Sequence, residues 1–128
     1  MPESTYETNI LRNPRSGFVA YVPVGSLKRG EALVKTGGAT TVDGKAVPGP
    51  TMACGTCHGP DLRGAELKGV GKVPPIAGRS PSFLGRALYD LQQGARGGAA
   101  SIMMKPAVQK LTEDDVIAIA AYVASLEP

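Results

Sequence analysis

Apolar residues recur at helical intervals in three separate segments of the chain. The first segment begins at Ser26, the second at Ser80 and the third at Thr112. Serine and threonine commonly cap the N-terminus of a helix, and the glycines at 37–38 and at 94 favour helix ends after the first two segments. The pattern therefore predicts three amphipathic helices.

Each predicted helix has one apolar stripe with intervals of three or four residues. Pro81 occupies the first position of the second helix, where its missing N–H group costs nothing. Asp115 stands three residues after Thr112, and the acidic residues 113–115 meet the positive end of the helix dipole. The stripes consist of Leu27, Gly30 and Val34, of Leu84, Ala87, Leu88 and Leu91, and of Val116, Ile119, Ala120 and Val123. They predict an all-α domain.

Residues 38–53, which are rich in glycine, proline and threonine, interrupt this helical pattern. Within them Thr40–Val42 and Lys45–Val47 flank Asp43-Gly44, a dipeptide typical of two-residue hairpin turns. The segment therefore predicts a short β-hairpin. Two interpretations of it stay open: a tolerated surface insertion, or an element that shields a cofactor or docks a partner.

Both cysteines and the single histidine of the chain lie in one pentapeptide, Cys54-Gly55-Thr56-Cys57-His58. C-x-x-C-H is the attachment pattern of haem c, because two thiols at this spacing reach the two vinyl groups of one porphyrin and the adjacent imidazole can bind its iron. A zinc site would need two further ligands, and a thioredoxin-like dithiol would need strand–helix alternation around the motif. The motif therefore predicts one covalently bound haem, held by Cys54, Cys57 and His58.

The iron of such a haem normally takes a second axial ligand, and methionine in that position raises the reduction potential relative to histidine. Met52, Met103 and Met104 are the candidates. Met52 lies two residues before Cys54, so it starts on the attachment side of the haem. The other two lie far enough downstream to reach the opposite face. Adjacent side chains seldom point the same way, so we expect one of this pair to bind iron and the other to pack.

Beyond the motif, residues 26–126 resemble bacterial class I cytochromes c. Besides C-x-x-C-H, the resemblance rests on Met104-Lys105-Pro106, on Pro74 through Gly78, on Leu84 through Arg96, and on segments 111–115 and 120–126. It implies a small cytochrome c fold, with three or more helices wrapped around one haem c. In that family the first helix crosses the last at a glycine that faces an aromatic residue, which here implies a contact between Gly30 and Tyr122. The insertion at 38–53 departs from the family.

The resemblance also implies roles for single residues. The family's ligand methionine commonly stands two residues before a proline, so the distal ligand here is Met104, with Met103 as the alternative. Pro74 matches the proline whose carbonyl accepts a hydrogen bond from the ligand histidine. Arg79 and Arg96 match cations near the haem propionates, and the alternative for either is a solvated surface arginine.

The first 25 residues fit no helix and resemble the linker that precedes the haem domain in longer bacterial cytochromes. The predicted division is an arm or linker over 1–25 and a cytochrome c domain over 26–128. No segment has the features of a signal peptide or the length of a membrane span. Because bacteria attach haem c outside the cytoplasm, the resemblance implies a periplasmic protein whose leader is absent from this chain.

Composition is consistent with a single haem-containing domain. The chain has 128 residues, aromatic content is 5% and tryptophan is absent, as expected where a porphyrin fills the centre. The formal net charge is +3, and the lysines and arginines are scattered along the sequence. A positive net charge favours docking to an acidic surface of a redox partner. No basic stripe with interleaved aromatic residues is present, so nucleic-acid binding is not expected.

The resemblance and the ligand set predict a one-electron carrier between redox proteins rather than an enzyme. Two strong axial ligands leave no open position on the iron, and no second histidine is present to transfer protons. Two alternatives stay open: an electron-transfer module of a larger dehydrogenase or oxidase complex, and a haem sensor or peroxidase-like protein in which Met104 is labile. The chain is expected to act as a monomer or as one module of a larger cytochrome.

Overall fold

The computed structural model describes residues 22–69, 71–94 and 99–128. In chain order its elements are α1 (Ser26–Thr36), β1 (Thr40–Val42), β2 (Lys45–Val47), α2 (Gly55–His58), β3 (Ala65–Leu67), β4 (Gly71–Val73), α3 (Pro81–Gln93), α4 (Ala99–Val108) and α5 (Glu113–Ser125). The prediction of a mainly helical chain with a short hairpin is confirmed. Most of the predicted arm, through residue 21, lies outside the described residues.

Helices α1 and α5 cross in close contact, and α5 also packs against α3. At the crossing, a Cβ atom on Gly30 would overlap the carbonyl oxygen of Ala118 and would lie 2.7 Å from the Cβ atom of Tyr122. Only a residue without a side chain allows the two backbones to approach this closely. The predicted contact of Gly30 with Tyr122 is therefore confirmed.

An ion pair joins α1 to the start of α5. Asp115 is only 3% exposed, and its Oδ1 accepts hydrogen bonds from Nη2 and Nε of Arg29 at 2.6 and 3.1 Å. Its Oδ2 accepts from the backbone N–H of Thr112, whose hydroxyl accepts from the N–H of Asp115 and completes a capping box. Burial alone would raise the pKa of the Asp115 carboxyl, but the Thr112 N–H and the Arg29 guanidinium outweigh burial and lower that pKa.

The helix caps follow the prediction with one exception. The Ser80 hydroxyl caps α3, and Gly94 ends that helix with φ of 72°. Ser26, however, does not cap α1: it is the first helical residue, is buried, and makes no capping hydrogen bond. Gly25 takes the cap position at φ 88°, because the Ser26 N–H bonds to the carbonyl of Pro23 and closes a turn that favours glycine.

The core lies where α1, α3 and α5 meet, and α4 joins it through its last turn. In the predicted stripe of α1, Gly30 and Val34 are buried as expected, but Leu27 is 51% exposed and Ser26 is buried instead. The buried residues of the core cluster are Leu33, Val34, Leu62, Ala77, Leu84, Val108, Leu111, Ala118, Ile119, Ala120 and Val123.

Two antiparallel hairpins flank the C-x-x-C-H segment. In the predicted hairpin, Thr40 pairs with Val47, and Asp43 and Gly44 form the turn with φ of 51° and 75°. Two positive φ values in succession are those of a type I′ turn. The second hairpin, β3–β4, is not predicted by the sequence pattern, because no two-residue turn dipeptide such as Asp43-Gly44 separates its strands.

Candidate haem site

The motif folds as a short helix fastened to the end of α1. Cys54 precedes α2, and its carbonyl accepts hydrogen bonds from the N–H groups of Cys57 and His58 at 3.2 and 3.0 Å. Its own N–H donates to the carbonyl of Val34 at 2.9 Å. Gly59, with φ of 91°, ends the turn. The backbone thus fixes both sulfur-bearing residues and the imidazole relative to α1.

The His58 imidazole is oriented by one hydrogen bond. The residue is 7% exposed, and its Nδ1 lies 2.8 Å from the carbonyl oxygen of Pro74. A carbonyl can only accept, so Nδ1 carries the proton and the lone pair is on Nε2. A neutral imidazole with Nε2 free and Nδ1 hydrogen-bonded to a backbone carbonyl is the form in which histidine binds a metal.

The β3–β4 hairpin explains how Pro74 comes to lie beside His58. The N–H of Gly64 donates to the His58 carbonyl at 2.8 Å at the start of the hairpin, and Pro74 directly follows β4. After the hairpin, the N–H groups of Ile76 and Ala77 donate to the carbonyl of Leu62 at 2.8 and 3.0 Å. These bonds close the loop and place the Pro74 carbonyl against the ring.

The two cysteines are half-buried free thiols. Burial raises the pKa of the Cys54 thiol to about 11. In the ranges that the structure describes, no cluster of three or more histidine, cysteine or acidic side chains could hold a metal ion. Two thiols and one oriented imidazole, without the further ligands that zinc requires, fit covalent haem attachment better than a zinc site.

The structure distinguishes the three candidate methionines by burial. Met104 is half-buried and packs against the core, whereas Met103 is 55% and Met52 is 44% exposed. Met103 and Met104 lie on α4, which the sequence pattern does not predict because Pro106 stands inside it. Successive residues of a helix point about 100° apart, so only one of the pair can face the core.

Of the two arginines predicted to lie near the haem propionates, the structure describes Arg79 but not Arg96. Arg79 is exposed; its Nε lies 3.4 Å from the carbonyl oxygen of Pro75, and its guanidinium carbon lies 5.7 Å from the centre of the Phe83 ring. Its charge is therefore held against the loop that orients His58. Arg96 lies outside the described residues.

Comparison with known proteins places this site in a family. The sequence profile described as "Cytochrome c" matches residues 41–127, which include the C-x-x-C-H motif, Pro74 and Met104. This chain belongs to the cytochrome c family. It carries one covalently bound haem c, and its helical fold with a short hairpin is the cytochrome c fold.

Three relatives illustrate the extent of the similarity. Cytochrome c-554(548) of Halomonas halodenitrificans is 34% identical over 58% of this chain and 84% of its own length. The "Thiosulfate dehydrogenase electron acceptor" of Stutzerimonas stutzeri is 35% identical over 57% of this chain but only 32% of its own length. The crystal structure of reduced cytochrome c4 from Pseudomonas stutzeri has a TM-score of 0.61 and 28% identity, and it covers 87% of this chain. The chain spans 53% of that cytochrome c4 and about a third of the electron acceptor.

Among residues 22–69, 71–94 and 99–128, no helix combines the length and the apolar character that a membrane crossing needs.

Proposed function

We propose that this cytochrome is a one-electron carrier whose iron is bound by His58 and Met104. The observation that carries the proposal is the hydrogen bond from His58 Nδ1 to the Pro74 carbonyl, which leaves Nε2 free to bind iron. Cys54 and Cys57 are the thioether residues. The inward position of Met104 on α4, against the exposed position of Met103, supports Met104 as the distal ligand.

Carrier chemistry follows from the protein's own groups. A haem with two strong axial ligands gains and loses one electron without binding oxygen or peroxide. His58 is the only histidine of the chain and is the proximal ligand, so no imidazole is left to transfer protons to a bound substrate. Cys54 and Met104 pack against the buried apolar core, and an apolar environment would favour the reduced state, which carries less charge.

The domain division, the location and the partners belong to the same proposal. Residues 26–128 form the haem domain and 1–25 an arm or linker. A periplasmic location follows from covalent haem attachment. Arg79 and Arg96 stabilise the haem propionates, and the docking partner presents an acidic surface to the positively charged chain.

A second candidate is an electron-transfer module within a longer polypeptide or complex. The chain covers only 53% of cytochrome c4 and 32% of the "Thiosulfate dehydrogenase electron acceptor", as a module would. It covers 84% of cytochrome c-554(548), which supports the carrier as the first candidate. A catalytic domain or a stable dehydrogenase partner copurifying with the native full-length protein would support the module over free diffusion.

Carbon monoxide binding separates the carrier from a haem sensor or peroxidase-like protein. We expect the reduced protein to bind carbon monoxide very slowly at neutral pH, because Met104 occupies the distal position. Rapid and complete binding by the wild-type protein would contradict the carrier assignment. Haem that survives acid extraction in the wild type, and that is lost from the double variant Cys54→Ser/Cys57→Ser, checks attachment independently.

A further inference from the structure

Helix α4 carries Met104, but its sequence gives it little helical stability of its own. It has ten residues, and Pro106 in its last turn has no N–H group, so the carbonyl of Ile102 lacks the usual intrahelical partner. Helices of this length are marginal in water without tertiary contacts. The position of Met104 therefore depends on the contacts that other parts of the chain make with α4.

Side chains from two other parts of the chain bond the carbonyl groups at the end of α4. The Thr51 hydroxyl donates to the carbonyl of Ala107 at 2.6 Å. The Gln92 side-chain amide donates to the carbonyl of Val108 at 2.8 Å and to that of Leu111 at 2.9 Å. Both Gln92 partners are carbonyl oxygens, which only accept, so the amide nitrogen must face them. The Thr51 bond satisfies a carbonyl of the last turn, a group that has no partner within the helix. The Val108 carbonyl also accepts from the N–H of Leu111 at 3.1 Å, so Gln92 joins the end of α4 to the loop that follows it.

Both donors stand on firmly held backbone. The Thr51 N–H bonds to the carbonyl of Gly37 at 3.3 Å, and Gly49 lies so close to Gly37 that a Cβ atom would overlap its carbonyl oxygen. Thr51 is thus tied to the end of α1, three residues before Cys54. Gln92 lies on α3, which packs against both α4 and α5. The two side chains connect α4 to the segment before the haem motif and to the helical core.

We propose that Thr51 and Gln92 are positioning residues for the distal ligand: they hold the end of α4 so that Met104 stays on the iron. The inference rests on the proposed function. Neither side chain is hydrogen-bonded to Met104 itself, so the effect is transmitted through the helix. A typical hydrogen bond contributes enough to stability that losing one should increase the Met104-detached population about fivefold.

The test uses holoprotein of Thr51→Val, of Gln92→Leu and of the double variant. The readouts are the rate of carbon monoxide binding to the reduced protein and the weak far-red absorption of an iron–thioether bond in the oxidised protein. We expect each single variant to bind carbon monoxide about fivefold faster and the double variant to bind it faster still. Thr51→Ser keeps the hydroxyl and should restore the wild-type rate.

Two matched controls separate ligand positioning from general loss of stability. Thr36→Val removes a similar hydrogen bond, 2.7 Å from the threonine hydroxyl to the Ala32 carbonyl, but on α1. Gln93→Leu makes the same chemical change at the exposed neighbour of Gln92. Both controls should bind carbon monoxide at the wild-type rate.

The outcomes distinguish this inference from the proposed function. If the wild type shows the far-red band but the test variants behave like the controls, the positioning role is wrong and the carrier assignment stands. If the wild type lacks the band, or Met104→Ala keeps it, both are wrong. The two single variants act through separate bonds, so either one decides the question if the other does not accumulate as holoprotein.

Discussion

At the scale of single residues, His58 has the surroundings that say most about the chemistry. Its ring is buried and bonded at Nδ1 to the Pro74 carbonyl. The sequence predicted this contact only through the resemblance of residues 74–78 to a known loop, because no local rule pairs residues sixteen positions apart. The choice between Met103 and Met104 likewise depended on the resemblance, and burial on α4 now supports the same choice.

Arg79 should influence the reduction potential through its charge. Arg79→Gln removes a cation held against the Pro74-Pro75 loop, and this should lower the midpoint potential by on the order of 20–50 mV, since water and salt screen an exposed charge. Potentiometric titration of the holoprotein measures the shift. Arg86→Gln, the same change at an exposed position of α3, should shift the potential less. Equal shifts for both variants would show that the midpoint potential responds to net charge and not to the position of Arg79, which would contradict the prediction.

At the scale of elements, the sequence predicts a helix or hairpin correctly where its periodicity and its terminal residues indicate the same structure. Helices α3 and α5 and the first hairpin carry both the right periodicity and the right terminal residues, and they form as predicted. Helix α1 also forms, although its N-terminal cap differs from the prediction. The sequence does not predict helix α4 because Pro106 normally ends a helix; the structure shows the helix with side chains of Thr51 and Gln92 bonded to its last carbonyl groups. The cap of α1 was misassigned because Ser26 is a good capping residue, whereas the backbone turn in front of it requires Gly25.

The crossing of α1 and α5 should not tolerate a side chain at Gly30. Gly30→Ala places a methyl group on the Ala118 carbonyl, and we expect it to lower the free energy of unfolding by about 1–3 kcal/mol or more. Chemical denaturation of the holoprotein checks this. The matched control is Gly85→Ala on α3, where nothing lies within 4 Å of the added atom and a stabilisation of up to about 1 kcal/mol is expected.

The Asp115 cap should make stability depend on pH in the acid range. Its carboxyl pKa is lower in the folded than in the unfolded chain, where it is about 3.9, so ionised Asp115 stabilises the fold above that pH. This stabilisation is lost as pH falls below about 4 and through the folded-state pKa. At pH 7 the cap and the ion pair both form, and Asp115→Asn should lower the free energy of unfolding by about 1–3 kcal/mol. Water weakens the ion pair, because the Arg29 side chain is 53% exposed.

Denaturation of the wild type and of Asp115→Asn at several pH values measures that contribution. The difference between the two proteins should shrink on going from pH 7 to pH 3. A difference that stays constant over this range would show that the carboxylate charge is not what stabilises the cap.

At the scale of the whole molecule, the haem site joins segments that are distant in sequence. The motif is fastened to α1, its histidine to the loop after β4, and the helix of Met104 to Thr51 and α3. Composition and periodicity predict three of the helices but not this arrangement. It depends on backbone and side-chain hydrogen bonds between segments far apart in sequence, which leave no periodic signal.

The β1–β2 hairpin contributes no residue to the buried core. All of its strand residues are exposed, and the glycines at its base, not its tip, contact the end of α1. Replacing residues 41–46 by two glycines should leave the far-red absorption unchanged and the free energy of unfolding within about 1 kcal/mol. Slower electron exchange with a native partner in this variant, at unchanged potential, would assign the hairpin to docking; loss of the far-red band would assign it to shielding the haem.

Ligation by His58 and Met104 is the claim on which the carrier function depends, and redox titration with spectra of the wild type, Met103→Ala and Met104→Ala tests it most directly. We expect the wild type and Met103→Ala to keep the far-red band and to share one midpoint potential. Met104→Ala should lose the band, and its potential should fall by on the order of 0.1–0.3 V, because the axial ligand strongly sets the potential of a haem. Loss of the band in Met103→Ala with retention in Met104→Ala would contradict the assignment.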